Sequence, residues 1–240
     1  MGIRTKAIIF DKDGTLMDFD SFWVTVTHNV IEELKEEMGI MDVPEEEIWK
    51  ALGVENGVSN INGILCHGTY KQMGVIMHNV LKRYGCKFSV AHLTECMVDS
   101  YHRNYDKGII KPTCDNIYEV LCRLKSYGVK LVVVTTDDLF GTKKCLQVLG
   151  IEKLIDEIYT DDGHFPPKPN PHCIFEILKK NGLSKSEVVM VGDTLTDITF
   201  AKNGGIKAIG VAKNGVNRKI LENQTDNVIS DISHIFEVVE

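Results

Sequence analysis

Ala7-Ile8-Ile9-Phe10-Asp11-Lys12-Asp13-Gly14-Thr15 opens with four apolar residues and stops abruptly at two acids and a glycine. The run is short, rich in β-branched residues, and shows no polar alternation that would mark a solvent face. That is how a strand buried on both faces of a parallel sheet reads. Three further runs share the pattern: Leu131-Val132-Val133-Val134, Val188-Val189-Met190-Val191 and Ala208-Ile209-Gly210-Val211.

Helical patterns fill the spaces between them. Ile117, Val120, Leu121 and Leu124 follow the i, i+3, i+4, i+7 spacing of a helix face, with Gly128 as its stop. Thr142 is read as the cap of a short helix that Gly150 closes, and Ile174, Ile177 and Leu178 mark another helix before Gly182. Strand–helix alternation predicts an open, doubly wound α/β sheet of Rossmann-like type.

Residues 19–105 read differently. Val30 to Met38 and Met73 to Tyr84 are long helical patterns without a convincing buried strand between them, and Gly53 to Gly68 reads as a loop. The expected organisation is a core of residues 1–18 and 106–240 with a helical domain, 19–105, inserted after the first strand. A length of 240 residues suits a core domain with a smaller insertion.

In open α/β sheets, ligands bind outside the carboxyl ends of the strands. The residues that follow each run are therefore the candidates. Asp11 and Asp13, two apart, start on the same side of an extended chain, and Gly14 permits a sharp departure. Thr135-Thr136-Asp137-Asp138 follows the second run, where a hydroxyl and backbone amides could hold a phosphate oxygen. Pro166-Pro167-Lys168-Pro169-Asn170-Pro171 places four prolines in six residues around one lysine, whose ammonium is then rigidly offered to an anion. Gly192-Asp193-Thr194-Leu195-Thr196-Asp197 adds two acids after the third run. Oxygen ligands of this kind suit Mg²⁺.

Each segment alone also reads as a turn, a capped helix start or a solvated loop. Together they bring four acids, a hydroxyl and a lysine to the ends of strands that one sheet can align. Composition excludes other classes. A net charge of −7 with no concentrated basic patch argues against nucleic acid. No apolar run reaches membrane-spanning length, and Met1 to Phe10 does not read as a signal peptide. Seven cysteines, an odd number without CxxC spacing, suggest a reduced, cytoplasmic protein.

The order DxDGT, a strand ending in Thr, a lysine before proline, then GDxxxD resembles the haloacid dehalogenase superfamily. The resemblance covers about residues 4–18 and 112–230. The helical insert resembles the cap of the phosphoglycolate phosphatase and β-phosphoglucomutase branch. The resemblance implies a Mg²⁺-dependent phosphatase acting on a small phosphorylated metabolite, such as phosphoglycolate or a sugar phosphate, as a monomer or homodimer. Asp11 would attack phosphorus and form a phospho-aspartate, and Asp13 would serve as general acid and base. Thr135 and Lys168 would complete the catalytic set, with Gly14, Thr15, Thr136 and Lys71 near the phosphate or substrate. Asp11, Asp13 (through its carbonyl) and Asp193 would hold Mg²⁺, and Asp197 would orient Lys168 or a metal-bound water. In the insert, Asn60, Asn62, His67, Thr69, Tyr70 and Lys71 are candidate substrate contacts, while Phe19, Phe22 and Trp23 read as packing.

Lys12 departs from the family pattern, in which that residue is usually apolar. It could meet solvent, a neighbouring acid or the substrate entrance. Two other readings stand beside the phosphatase: a phosphosugar mutase using the same residues, against which Thr15 leans, and a non-catalytic phosphate- or partner-binding module.

Overall fold

The computed structural model describes residues 4–160, 164–213 and 215–239; the first three residues of the N-terminal segment lie outside them. The chain divides into two compact units, Met1–Asp18 with Ile110–Glu240, and Phe19–Ile109.

The larger unit begins with β1 (Ala7–Phe10), every residue of which is buried. The chain then enters the second unit. A π-helical turn, Asp20–Val24, leads into α1 (Thr25–Met38), which ends on the left-handed Gly39. Next come α2 (Glu45–Leu52), the two-residue strands β2 (Val54–Glu55) and β3 (Val58–Ser59), and α3 (Ile64–His67). α4 (Tyr70–Leu81) starts with a reciprocal cap between Thr69 and Gln72, and α5 (Val90–Asn104) starts at Ser89.

Residues 53–68 are therefore not a plain loop. They contain an antiparallel hairpin, Val54 opposite Ser59, and a helical turn. The hairpin strands are too short to show periodicity, so only their pairing reveals them.

This unit is held by its helices. Glu33 on α1 accepts from Ser100 at 2.6 Å, Arg103 at 2.9 Å and Asn104 at 2.8 Å, all on α5. Thr27 and Tyr101 share a buried hydroxyl–hydroxyl bond of 2.8 Å. Phe22 is buried and meets Trp23 and Tyr105 edge-on, at ring separations of 5.1 and 5.0 Å. These are packing contacts.

Back in the larger unit, α6 (Ile117–Ser126) buries Ile117, Val120, Leu121 and Leu124. It is followed by β4 (Lys130–Val134), α7 (Leu139–Val148) and β5 (Glu157–Tyr159). Then come α8 (His172–Asn181), β6 (Val188–Gly192), α9 (Leu195–Gly204), β7 (Lys207–Val211), α10 (Gly215–Glu222) and β8 (Val228–Ile229). The six-stranded sheet has the order β5-β4-β1-β6-β7-β8, and every pair is parallel. It is a Rossmann-like doubly wound sheet, with the chain reversing direction across β1.

Both faces are covered. Ile8 and Phe10 point into a cluster with α6, Leu146 of α7 and the C-terminal Ile232 and Ile235. Ala7 and Ile9 point the other way, against Ile174, Ile177, Phe200 and Ala201 of α8 and α9. This is why β1 shows no polar alternation.

One capping expectation fails. α7 is capped by Asp138, whose carboxylate accepts from the Gly141 N–H at 2.8 Å. Thr142 lies inside the helix, fully buried, and its hydroxyl has no partner among the described residues. Asp138 is four residues earlier, so the helix gains a turn at its start.

Candidate active site

Three adjacent strands end side by side. Phe10 is in register with Val133 of β4 and Val191 of β6. The Asp11 N–H donates to the Val191 carbonyl at 2.9 Å, and the Thr135 N–H to the Tyr159 carbonyl at 3.0 Å. Asp11, Thr135 and Asp193 thus leave the sheet at neighbouring positions, at the crevice where its winding reverses.

The loop after β1 closes on itself. The Lys12 carbonyl accepts from the N–H groups of both Leu16 (3.0 Å) and Met17 (2.9 Å), and the Gly14 N–H donates to the Met17 carbonyl at 2.7 Å. Gly14 sits at φ +78°, and a Cβ built there would overlap the Asp193 carboxylate. Only glycine allows both this backbone and this approach. Thr15 is fully buried; its hydroxyl lies 3.4 Å from Asp193 Oδ1, and its carbonyl accepts from the Thr113 hydroxyl at 2.6 Å.

Lys168 reaches into this group from the proline-rich loop, in which the Lys168–Pro169 peptide is cis. Its Nζ donates to Asp11 Oδ1 at 2.5 Å and to Asp197 Oδ1 at 2.6 Å. The second Asp197 oxygen accepts from the Thr194 N–H (3.1 Å) and hydroxyl (2.7 Å), so α9 holds that carboxylate from its first turn. Asp197 is thus held from α9 against the Lys168 ammonium.

Burial drives the electrostatics. Asp11 is pushed up to about 7, first by burial and then by Asp197 and Asp13, against the pull of Lys168. Asp193 is held well above the ordinary carboxylate range by burial, then by Asp11 and Asp197. Burial would lower Lys168, but Asp11 and Asp197 together hold it above its usual value. One ammonium faces three acids, so the pocket is short of positive charge.

That shortage is the test of fit for a cation. Oxygens of Asp11, Asp193 and Asp197 lie within 4.8 Å of one another. A hard divalent ion with carboxylate ligands suits such a cluster. Both Asp197 oxygens already have protein partners, which leaves Asp11 and Asp193 as the side chains suited to a cation.

Of the residues named from sequence, Asp11, Asp13, Gly14, Thr15, Thr135, Lys168, Asp193 and Asp197 lie on the clustered strand ends and the proline loop. Thr136 is exposed in the loop after β4. Lys71 is exposed on the first turn of α4, in the helical unit. Lys12 is resolved by the fold. It is fully buried, with its ammonium 2.8 Å from Asp13 Oδ2 and 2.9 Å from Asp137 Oδ2. Asp137 carries no role in the sequence reading; the unusual lysine beside the paired acids was the signal that could have found it.

Residues 8–211 match the family model of the haloacid dehalogenase-like hydrolases. The chain is 27% identical over 215 residues to pyrophosphatase PpaX of Bacillus velezensis, covering 87% of this chain and 84% of that one. It is 27% identical over 237 residues to phosphoglycolate phosphatase of Vibrio parahaemolyticus, covering 98% and 96%. Among solved structures, a protein described as a predicted phosphoglycolate phosphatase from Haemophilus somnus superposes with a TM-score of 0.75 at 21% identity, over 98% of both chains. Among the described residues, no helix is long and apolar enough to cross a membrane.

Proposed function

The chain belongs to the haloacid dehalogenase-like hydrolase family and is a phosphatase, and we propose that it hydrolyses a small organic phosphomonoester, of phosphoglycolate or sugar-phosphate type, through a phospho-aspartate on Asp11. The observation that carries this reading is the Lys168 ammonium held between Asp11 and Asp197, beside Asp193.

Lys168 fixes the Asp11 carboxylate at one oxygen and offers positive charge to the incoming phosphate. Thr135 accepts the Asp137 N–H at its hydroxyl oxygen, 3.2 Å, which turns its own O–H outward as a donor to a phosphoryl oxygen. Asp13 carries the proton that the departing alkoxide takes, then receives one from the water that attacks the phospho-aspartate. Asp11, Asp193 and the Asp13 carbonyl would hold Mg²⁺, which neutralises phosphate charge so that an anionic nucleophile can approach. Lys71 and the polar residues near it on the helical unit are the proposed substrate contacts.

Relatives named for pyrophosphatase put inorganic pyrophosphate beside the phosphomonoesters as a second substrate to test. The experiment is phosphate release from a panel of phosphoglycolate, sugar phosphates and pyrophosphate, with Mg²⁺ and with chelator, for the native protein and Asp11→Asn. Release that needs Mg²⁺ and vanishes in Asp11→Asn supports the reading. Isomerisation of a sugar 1-phosphate with little free phosphate would replace it with the mutase, and inactivity on every compound with the binding module.

A further inference from the structure

A fully buried lysine is rare unless its charge is matched, because stripping water from an ammonium costs several kcal/mol. Lys12 has no side-chain exposure, and its ion pairs reach Asp13 and Asp137 rather than Asp11.

The ammonium grips both oxygens of Asp13, Oδ1 at 2.9 Å and Oδ2 at 2.8 Å. The Asp13 carboxyl therefore cannot turn about its own axis without losing a charged contact. Asp137 Oδ2 stands 2.9 Å from the same ammonium and keeps it from following Asp13. Asp137 is anchored in turn: its Oδ1 accepts from the Asp138 N–H at 2.9 Å, and its N–H donates to Thr135 Oγ1 at 3.2 Å. Cys145 and Met17, both buried, meet sulfur to sulfur at 3.4 Å.

We propose that Lys12, braced by Asp137, is a positioning residue that aims the Asp13 carboxyl at the leaving oxygen of the substrate. The proposal rests on the phosphatase reading above. In the step concerned, the bond from Asp11 oxygen to phosphorus forms as the ester P–O bond breaks. The Asp13 proton passes to the ester oxygen, giving a neutral alcohol and an ionised Asp13. A leaving group that departs comfortably as an anion needs that proton little, and an alkoxide needs it greatly.

The test compares kcat/KM of the native protein, Lys12→Met and Asp137→Asn on alkyl phosphates, phenyl phosphate and p-nitrophenyl phosphate, with Mg²⁺. This parameter reports events up to transfer onto Asp11, so later hydrolysis of the phospho-aspartate does not mask the effect. Correctly aimed general acid catalysis is worth about 10²–10⁴-fold. Lys12→Met is expected to lose about 100-fold on alkyl phosphates and no more than about 10-fold on p-nitrophenyl phosphate, with phenyl phosphate between. Asp137→Asn, which keeps an amide oxygen for the Asp138 N–H, is expected to show the same order at smaller size, and Lys12→Arg to recover part of the alkyl loss. Melting curves report whether each variant is folded; if Lys12→Met is not, the Asp137→Asn series decides. Equal losses on all leaving groups, or none, overturn the proposal while leaving the phosphatase intact. A native protein inactive on every ester overturns both.

Discussion

Lys168 and Asp11, 157 residues apart in sequence, meet at 2.5 Å at the centre of the sheet's carboxyl edge. The same ammonium binds Asp197, so removing it strands two buried carboxylates at once. Breaking a buried pair from one side costs about 3–5 kcal/mol. Lys168→Met is expected to lose stability in that range at neutral pH in chelator, measured by denaturant unfolding, along with all turnover. Below pH 5 the loss should shrink, because Asp11, lifted by burial to about 7, then carries a proton and no longer needs the ammonium.

Burial lifts Asp11 from 3.8 to about 7. A carboxyl with this shift binds its proton more tightly in the folded protein than in the unfolded chain. Its contribution to stability is present in full below the unfolded value and is lost as pH rises through about 7. In chelator, the melting temperature should therefore fall between pH 5 and 8. Mg²⁺ binding to the ionised form should offset this, so the gain from Mg²⁺ should be larger at pH 8 than at pH 5. A Mg²⁺ effect that does not grow with pH would count against Asp11 as a ligand.

Gly14→Ala adds two penalties. A left-handed alanine costs about 1–2 kcal/mol, and its Cβ would displace the Asp193 carboxylate. The variant is expected to melt lower and to need a higher Mg²⁺ concentration for half-maximal activity. Unchanged Mg²⁺ dependence would argue that Asp193 does not hold the ion.

Tyr101→Phe leaves the Thr27 hydroxyl buried without its 2.8 Å partner. An orphaned buried hydroxyl costs about 1–3 kcal/mol. Unfolding of the variant should show a loss in that range, while phosphate release at ordinary temperature stays at the native rate.

Contiguous apolar runs were enough to identify β1, β4, β6 and β7, because a strand buried on both faces must be apolar along its whole length. The acids, threonine and lysine of the site were legible because they follow those runs directly or sit in a proline-rich loop. Local order also settled the helix faces, such as Ile117 to Leu124. Three features came only from the tertiary structure. The edge strands β5 and β8 carry half-buried residues, including Glu157, and exist through their pairing with β4 and β7 rather than through their own hydrophobicity. The hairpin at residues 54–59 is likewise defined by its partner. The role of Lys12 stayed open in sequence because its second partner, Asp137, lies at the end of another strand, and only the register of β1 against β4 brings the two together. Sequence spacing sets the direction in which a side chain leaves its own strand; which charge it meets there depends on the neighbouring strand.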